Sequence, residues 1–417
     1  MGEVATSTES GARATLAGAT RPGPLEFIVL FAMVSSLTAA SIDTMLPALR
    51  QIGHDLDVAN PLATQLVVTT FILGMVAGDL VFGPIADAIG RKRAILAGLV
   101  IYVAGSLIAG FAGSLDALIL GRVIQGIGVS GPKIASRALI RDRFAGSAMA
   151  RILSLIFMVF ILVPMIAPAL GQLITALAGW RAIFVGYLGW AALIALWLAI
   201  RQPETLPPDR RVPFRVIPLL RNANLILRHT QVMALTIAAG GIFGAILLFV
   251  STAQAVFLDL YAIDALFPAC FALLAMGLGL ASFANSRFVL RFGMAPIARL
   301  GLLALTVLGA ALIATGLATG GQPPLWLFLA LSFLSFNAFG LLFGNLNAMA
   351  MHHLSRVAGL GASLISSISS LVAFLWATGF GRFYNATVFP LASGFVAAGI
   401  IGLFALHYAA RSRAGEV

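Results

Sequence analysis

The sequence predicts an all-α membrane protein of twelve transmembrane helices in two six-helix halves, and three observations carry that prediction. Of the 417 residues, 60% are hydrophobic and 10% charged, well below the roughly 25% charge of water-soluble domains. Apolar stretches long enough to cross a bilayer, about 20 residues each, recur from Phe27 to Tyr408. The formal charge of +11 is dispersed among short gaps between these stretches. That dispersal sets orientation in a membrane and argues against a nucleic-acid partner. The single cysteine, Cys270, excludes an intrachain disulfide and falls in an apolar span, as a packing residue.

In chain order the spans fall at 26–48, 62–83, 94–112, 116–138, 150–174, 181–200, 231–257, 265–286, 294–317, 325–348, 357–380 and 386–408. The segment before Pro24 is rich in Ala, Thr, Ser and Gly and lacks a hydrophobic core. It reads as a short disordered tail, not a cleaved signal peptide. With a cytoplasmic N-terminus, one side collects Arg91, Lys92, Arg93, Arg141, Arg143, Arg151, Arg201, Arg210, Arg211, Arg215, Arg221, Arg228, Arg287, Arg291, Arg299, Arg356, Arg411 and Arg413. The other side holds Arg50, Arg181 and Arg382, together with Asp55, Asp57, Asp116, Asp259 and Asp264. This bias places both termini inside and requires an even number of spans.

The longest polar gap, 201–230, opens with QPETLPPDRRVPFR and divides the chain. The domain reading is therefore a cytoplasmic tail (1–24), a first half (25–200), a central cytoplasmic loop (201–230), a second half (231–408) and a C-terminal tail (409–417). A weak repeat supports it: Ile89-Gly90 before Arg91 is matched by Phe292-Gly293 between spans 8 and 9. Two parallel halves enclose a central cavity and give alternating access by rocking.

The loop after span 2 reads GPIADAIGRKR, Gly83 to Arg93. Gly83 suits close helix approach, Asp87 a hydrogen bond near a helix end and Gly90 a tight reversal. Arg91, Lys92 and Arg93 hold the basic face. This loop resembles the signature of the major facilitator superfamily. SIDTMLPAL (Ser41–Leu49), LILGRVIQGIG (Leu118–Gly128), ALIRDRF (Ala138–Phe144), GWRAIF (Gly179–Phe184) and PETLP after span 6 resemble the Bcr/CflA branch of drug:proton antiporters. The resemblance implies the major facilitator fold, a bacterial inner-membrane location, and a chain that works as a monomer. It also implies a small organic substrate and protons as coupling ion, with no cofactor. The chain has no Gly-Lys dipeptide, hence no ATP-binding loop of the Walker type.

Two departures bear on direction and substrate. Span 5 of the antiporters resembled here carries several glycines before a Gly-Pro step, whereas this chain reads VPMIAPALG, with Ala167 before Pro168 and Gly171 retained. Pro164 and Pro168 still predict a kinked helix. Relatives resembling riboflavin or copper importers share the SIDTMLPAL region. The chain has His229-x-x-x-Met233 but no Met-x-x-x-Met, which disfavours copper and leaves vitamin uptake as the alternative to efflux. An enzyme would need a converging acid/base or metal set such as His-Glu-x-x-His, and the sequence has none. A receptor would not need the basic loop in both halves.

Ionisable residues within spans are costly and mark function. Asp43 in span 1, Asp79 in span 2, and Arg122 and Lys133 in span 4 are the candidates. Asp43 and Arg122 fall at similar depth, so they are expected to meet across the cavity. By resemblance, Asp43 takes the proton or contacts substrate, and Arg122, with Gln125 and Gly126 of the span-4 motif, tunes it. A fixed ion pair that never titrates is the alternative. Asp79 and Lys133 are expected to pair, as a tie between helices supporting the signature loop. Asp87 with Arg91 is expected to latch the cytoplasmic gate, with Arg141 and Asp142 completing the network. Glu26 reads as a solvated interfacial carboxylate.

The second half has no charge within a span, only neutral groups: Ser251, Thr252 and Gln254, Asn337, and Ser366, Ser367, Ser369 and Ser370. Small-residue packing accounts for most of the serines; Gln254 and Asn337 are the better substrate contacts. Phe249 and Trp376 are candidates for an aromatic cavity wall. His352 and His353 beside Met349 and Met351 read as an ordinary loop rather than a metal site.

Overall fold

A computed structural model describes residues 22–144, 146–214, 216–263, 265–352 and 358–414. The readings made for most of the N-terminal tail, for Arg215, Asp264, His353 and Arg356, and for the last three residues lie outside these ranges. Among the described residues every regular element is helical. The helices are α1 (Pro24–Asp43), α2 (Leu49–Asp55), α3 (Leu66–Ile89), α4 (Arg91–Gly110), α5 (Leu115–Arg143), α6 (Gly146–Ala178) and α7 (Arg181–Arg201). They continue as α8 (Val216–Leu227), α9 (Thr230–Gln254), α10 (Phe267–Phe292), α11 (Met294–Ala318), α12 (Leu325–Met351), α13 (Ala358–Gly381) and α14 (Phe389–Ala414).

Ten helical segments among the described residues are long and apolar enough to cross a membrane, and Leu162–Ala178 within α6 is a shorter apolar stretch. The long helix α5 falls outside that class because its 29 residues include Asp116, Arg122, Lys133, Arg137, Arg141, Asp142 and Arg143. Its apolar content is interrupted where charges enter the bundle.

Three differences from the sequence reading follow from backbone chemistry. The first expected span, 26–48, is broken: α1 ends at Asp43, a 3₁₀ turn covers Leu46–Ala48, and α2 begins at Leu49. Pro47 has no N–H to continue the ladder, so Asp43 is the last residue of its helix and not a mid-helix group. The seventh span closes with a π-helical turn, Ala255–Leu260, a widening that is frequent at functional sites. The gap 201–230 is not merely a loop but contains α8. Pro164 and Pro168, the expected kink sites of span 5, lie inside the continuous helix α6.

Close packing among the first helices rests on glycine. A Cβ on Gly126 of α5 would stand 2.0 Å from the Phe71 carbonyl oxygen of α3, and one on Gly74 would stand 2.1 Å from that of Val123. The two backbones therefore touch without side chains between them, as small residues allow in lipid. Gly90 and Gly293, paired in the sequence repeat, both adopt positive φ, 105° and 79°, and each reverses the chain between consecutive helices. Among the C-terminal helices, Phe249, Phe257, Phe271 and Phe336 form an aromatic cluster. Phe249 is thus a core residue, not a cavity wall. Trp376 borders a shallow groove of about 390 Å³ on α13, with Leu375 and Phe383.

Candidate functional site

Three polar clusters occupy the bundle, and each is set by a local backbone feature. The first surrounds the end of α1. Because the helix breaks there, the Ser41 carbonyl has no amide partner of its own helix, and Arg122 supplies one: its Nη2 donates to Ser41 O at 2.8 Å. Its Nε donates to Val67 O at 2.8 Å and its Nη1 to Gln125 Oε1. Gln125 in turn donates to Ser106 Oγ at 2.7 Å. Tyr187 donates to the Ala40 carbonyl at 3.2 Å, and the Ser41 and Tyr102 hydroxyls share a bond of 2.6 Å. The Phe71 ring lies 4.5 Å below the guanidinium. Arg122 is fully buried, and in lipid such backbone satisfaction is obligatory.

The expected pair between Asp43 and Arg122 is not formed. The guanidinium spends its donors on backbone carbonyls and Gln125, because the break in α1 creates a stronger demand there. Asp43 is buried and makes no ion pair among the described residues. The sequence placed both residues correctly in the bundle but could not foresee that the helix ends beside them.

The second cluster joins α3, α5 and α13. Lys133 Nζ donates to Asp79 Oδ2 at 2.6 Å. Ser366 Oγ, on α13, donates to the same oxygen at 2.7 Å, and one residue on, Ser367 donates to the Val76 carbonyl at 2.7 Å. Asp79 is fully buried. The Asp79–Lys133 pair thus forms as expected, whereas Ser366, read as a packing residue, belongs to the pair's hydrogen-bond shell. Nothing in the sequence could connect positions 287 residues apart. Eleven residues before Gly293, where Asp79 would have its repeat counterpart, stands the neutral Ser282, which donates to Gly340 of α12 at 3.2 Å. Among the described residues, every buried charge lies in the N-terminal helices.

The signature loop forms the end of this region. Arg91 pairs with Asp87 and, at 3.0 Å, with Asp142, while Arg93 and Arg141 are exposed. Arg141 makes no ion pair with Asp87 or Asp142, so it stands outside the network it was expected to complete. Gly83 is buried in α3. The network has a member the sequence reading missed. Glu204, from PETLP, accepts the amides of Arg91 at 2.9 Å and Lys92 at 3.2 Å, capping α4. A Cβ on Gly90 would meet its carboxylate at 2.3 Å. Glu26 is not a free interfacial carboxylate either: Arg201 donates to both its oxygens, at 2.7 and 2.8 Å, and Trp197 donates at 3.0 Å.

The third cluster lies at the opposite end of the bundle. Arg50 of α2 pairs with Asp259 of the π turn, and Gln254 donates to the Pro47 carbonyl at 3.0 Å. These residues border a pocket of about 360 Å³ that also includes His54, Gln65 and Ser251. Gln254 therefore borders a cavity. Asn337 does not line it; its amide donates to Phe333 O of its own helix at 2.8 Å. The GWRAIF residues brace this end: Trp180 donates to Asp55 at 3.1 Å and Arg181 to the Ala112 carbonyl at 3.0 Å. Burial beside Asp259 and Tyr261 holds the Tyr384 phenol above its usual range. No group of metal-ligating side chains occurs among the described residues.

The family follows from comparison with known proteins. The Major Facilitator Superfamily matches residues 28–377. This chain belongs to the major facilitator superfamily. It is 30% identical over 385 residues to the bicyclomycin resistance protein homolog of Haemophilus influenzae, covering 92% of this chain and 95% of the relative. That similarity places it in the Bcr/CflA branch. A chloramphenicol resistance protein of Pseudomonas aeruginosa is 31% identical over 180 residues, 43% of this chain and 42% of its own length. Among solved structures, a peptide transporter superposes with a TM-score of 0.75 at 15% identity, over 95% of this chain and 97% of its own. The xylose transporter XylE of Escherichia coli gives 0.72 at 13%, over 92% and 96%. These two show the shared fold. The chain is a multi-pass membrane transporter of this superfamily.

Proposed function

We propose that this transporter exports small organic, drug-like compounds in exchange for protons, by alternating access. The observation that supports it is the arrangement of ties between the N-terminal helices (α1–α7) and the C-terminal helices (α9–α14). Asp79 with Ser366 joins them at one end, and Arg50 with Asp259 and Gln254 with Pro47 join them at the other. A carrier that opens to one side at a time needs two such separable closures. The resistance proteins to which the chain is similar supply the substrate class.

In this reading α5 and α6 complete twelve spans. The two groups of helices are the two halves, 25–200 and 231–408, and both termini lie in the cytoplasm of an inner-membrane monomer. The end carrying Arg91 is then cytoplasmic by its excess of Arg and Lys. Asp43 takes the proton or contacts substrate, while Arg122 holds a fixed positive potential near it. Asp43 is buried with no ion pair among the described residues, which leaves its carboxylate available to a proton or a substrate. Gln254 contributes a polar contact at the outer pocket.

The test is movement of chloramphenicol-like compounds and of riboflavin in proteoliposomes with an imposed pH gradient. Gradient-driven movement of the drug-like compounds, with proton counterflow, is the expected result. Movement of riboflavin alone, or no pH change with either, would overturn the reading. Asp43→Asn should lose gradient-driven movement at least tenfold while exchange persists; full coupling in that variant would make Asp43 structural.

A further inference from the structure

We infer that the segment from Arg210 to Arg228 docks on anionic lipid headgroups of the leaflet at the Arg91 end of the bundle. Its arginines meet the phosphates, and its exposed apolar side chains enter the upper part of the acyl chains. The inference goes beyond the proposed export reaction and holds whatever compound the chain moves. The charge is written in the sequence: five arginines fall between positions 210 and 228, and no acidic residue occurs between Asp209 and Asp259. Such a run is drawn to an anionic leaflet by a force that fades within a Debye length of the surface.

The fold presents that charge together with apolar surface. The helix α8 packs on α9 and α13, and Ile226 is buried in the core. Arg221 and Arg228 are seven residues apart, two helical turns, and therefore share a face. The helical turn extends to Arg228, whose amide donates to Asn224 O at 3.0 Å. Both arginines are exposed, and neither is in an ion pair among the described residues. Leu225 and Leu227 beside them are exposed as well, as are Val212 and Phe214 ahead of the helix. Arginines interleaved with exposed apolar side chains mark a helix that lies in the interface plane of a bilayer, not one bathed in water.

Two anchors hold the segment at the depth of the headgroups. At its start, Glu204 caps α4, and the Val212 amide donates to the Asp87 carbonyl at 3.1 Å, next to the end of α3. At its finish, Ile226 rests on the C-terminal helices just before α9 begins at Thr230. Both α3 and α9 are long and apolar enough to cross the membrane, so their ends lie where the headgroups are. The segment therefore runs along the bilayer surface from one group of helices to the other. A soluble acidic partner could satisfy the arginines, but at this depth it would leave the four apolar side chains among headgroups.

The experiment places a bimane fluorophore on Leu225→Cys in a Cys270→Ala background. The full chain is reconstituted in phosphatidylcholine vesicles that contain a minor fraction of a lipid brominated on its acyl chains. Brominated phosphatidylglycerol is expected to quench roughly fivefold more strongly than brominated phosphatidylcholine at the same fraction, the preference that one engaged arginine gives. Added salt should weaken the preference, and Arg221→Gln with Arg228→Gln should bring it to parity. An unchanged thermal midpoint in detergent shows that this variant is folded. Equal quenching by the two lipids in the wild type overturns the docking, and so does a preference that survives in the double variant. A preference removed by inorganic phosphate, but not by chloride at equal ionic strength, assigns the arginines to a soluble anion and also overturns it. Drug movement plays no part in the readout, so failure here leaves the export reading untouched.

Discussion

At the scale of single residues, the bundle is governed by where a side chain is forbidden as much as by where one is needed. Gly126 follows the buried Arg122–Gln125 pair by a single position, and its Cα faces the Phe71 carbonyl of α3. Alanine there would bring helix propensity of up to about 1 kcal/mol. The new Cβ would meet backbone at 2.0 Å, which cannot swing aside as a side chain can. Overpacking of this kind costs about 1–3 kcal/mol, so the clash wins. Spreading α3 from α5 also pulls Lys133 away from Asp79. Gly126→Ala is accordingly expected to lower the thermal unfolding midpoint in detergent by several degrees and to reduce drug efflux. Gly113→Ala, where nothing lies within 4 Å of a new Cβ, is the control and should change neither. Equal midpoints for the two variants would mean that α3 and α5 separate freely and that their contact is not rigid.

At the scale of elements, the start of α4 shows what one chain segment owes to a distant one. The signature loop was legible in the sequence because its parts are contiguous: Asp87 and Arg91 are one helical turn apart, and Gly90 takes the positive φ that a reversal needs. Its cap was not legible. Glu204 lies 113 residues from Arg91, and PETLP read only as a fragment of family resemblance. The same limit hid the role of Ser366 and the partners of Glu26. Sequence periodicity reports which face of a helix is apolar, not which helix it meets. The break in α1 was missed for a different reason: one proline near the end of an apolar run leaves the run's hydropathy unchanged. Glu204 brings negative charge to the positive end of α4's dipole and satisfies amides that otherwise have no partner. An N-cap of this kind is worth about 0.5–2 kcal/mol. Glu204→Ala should therefore speed amide hydrogen exchange at residues 91–94 and along 204–212, and Glu204→Gln should do so less. Unchanged exchange in both segments would show that Arg91 and its two aspartates hold the loop without the cap.

At the scale of the whole molecule, the two closures differ in physical kind. The Asp79–Lys133–Ser366 tie uses a carboxylate with no solvent exposure, so salt screens it little. In the outer tie, the Arg50 and Asp259 side chains are 57% and 51% exposed, and such pairs contribute about 0–1 kcal/mol and are screened by salt. A carrier built this way is held at one end by a buried tie and at the other by a weak, adjustable latch. Ser251, buried beside the outer pocket, reports on that latch when replaced by cysteine in a Cys270→Ala background. Its labelling by a membrane-impermeant maleimide should rise on adding salt or with Asp259→Asn, by at most about fivefold, the factor that 1 kcal/mol allows. Exchanging the two charges, with Arg50→Asp and Asp259→Arg together, should restore the slow rate. Asp79→Asn, which weakens the tie to Lys133 and Ser366, should slow it below wild type, because in an alternating carrier a molecule open at that end must be closed at the other. Faster labelling in Asp79→Asn would mean that the two ends open independently, and the alternating cycle would have to be abandoned for a leak.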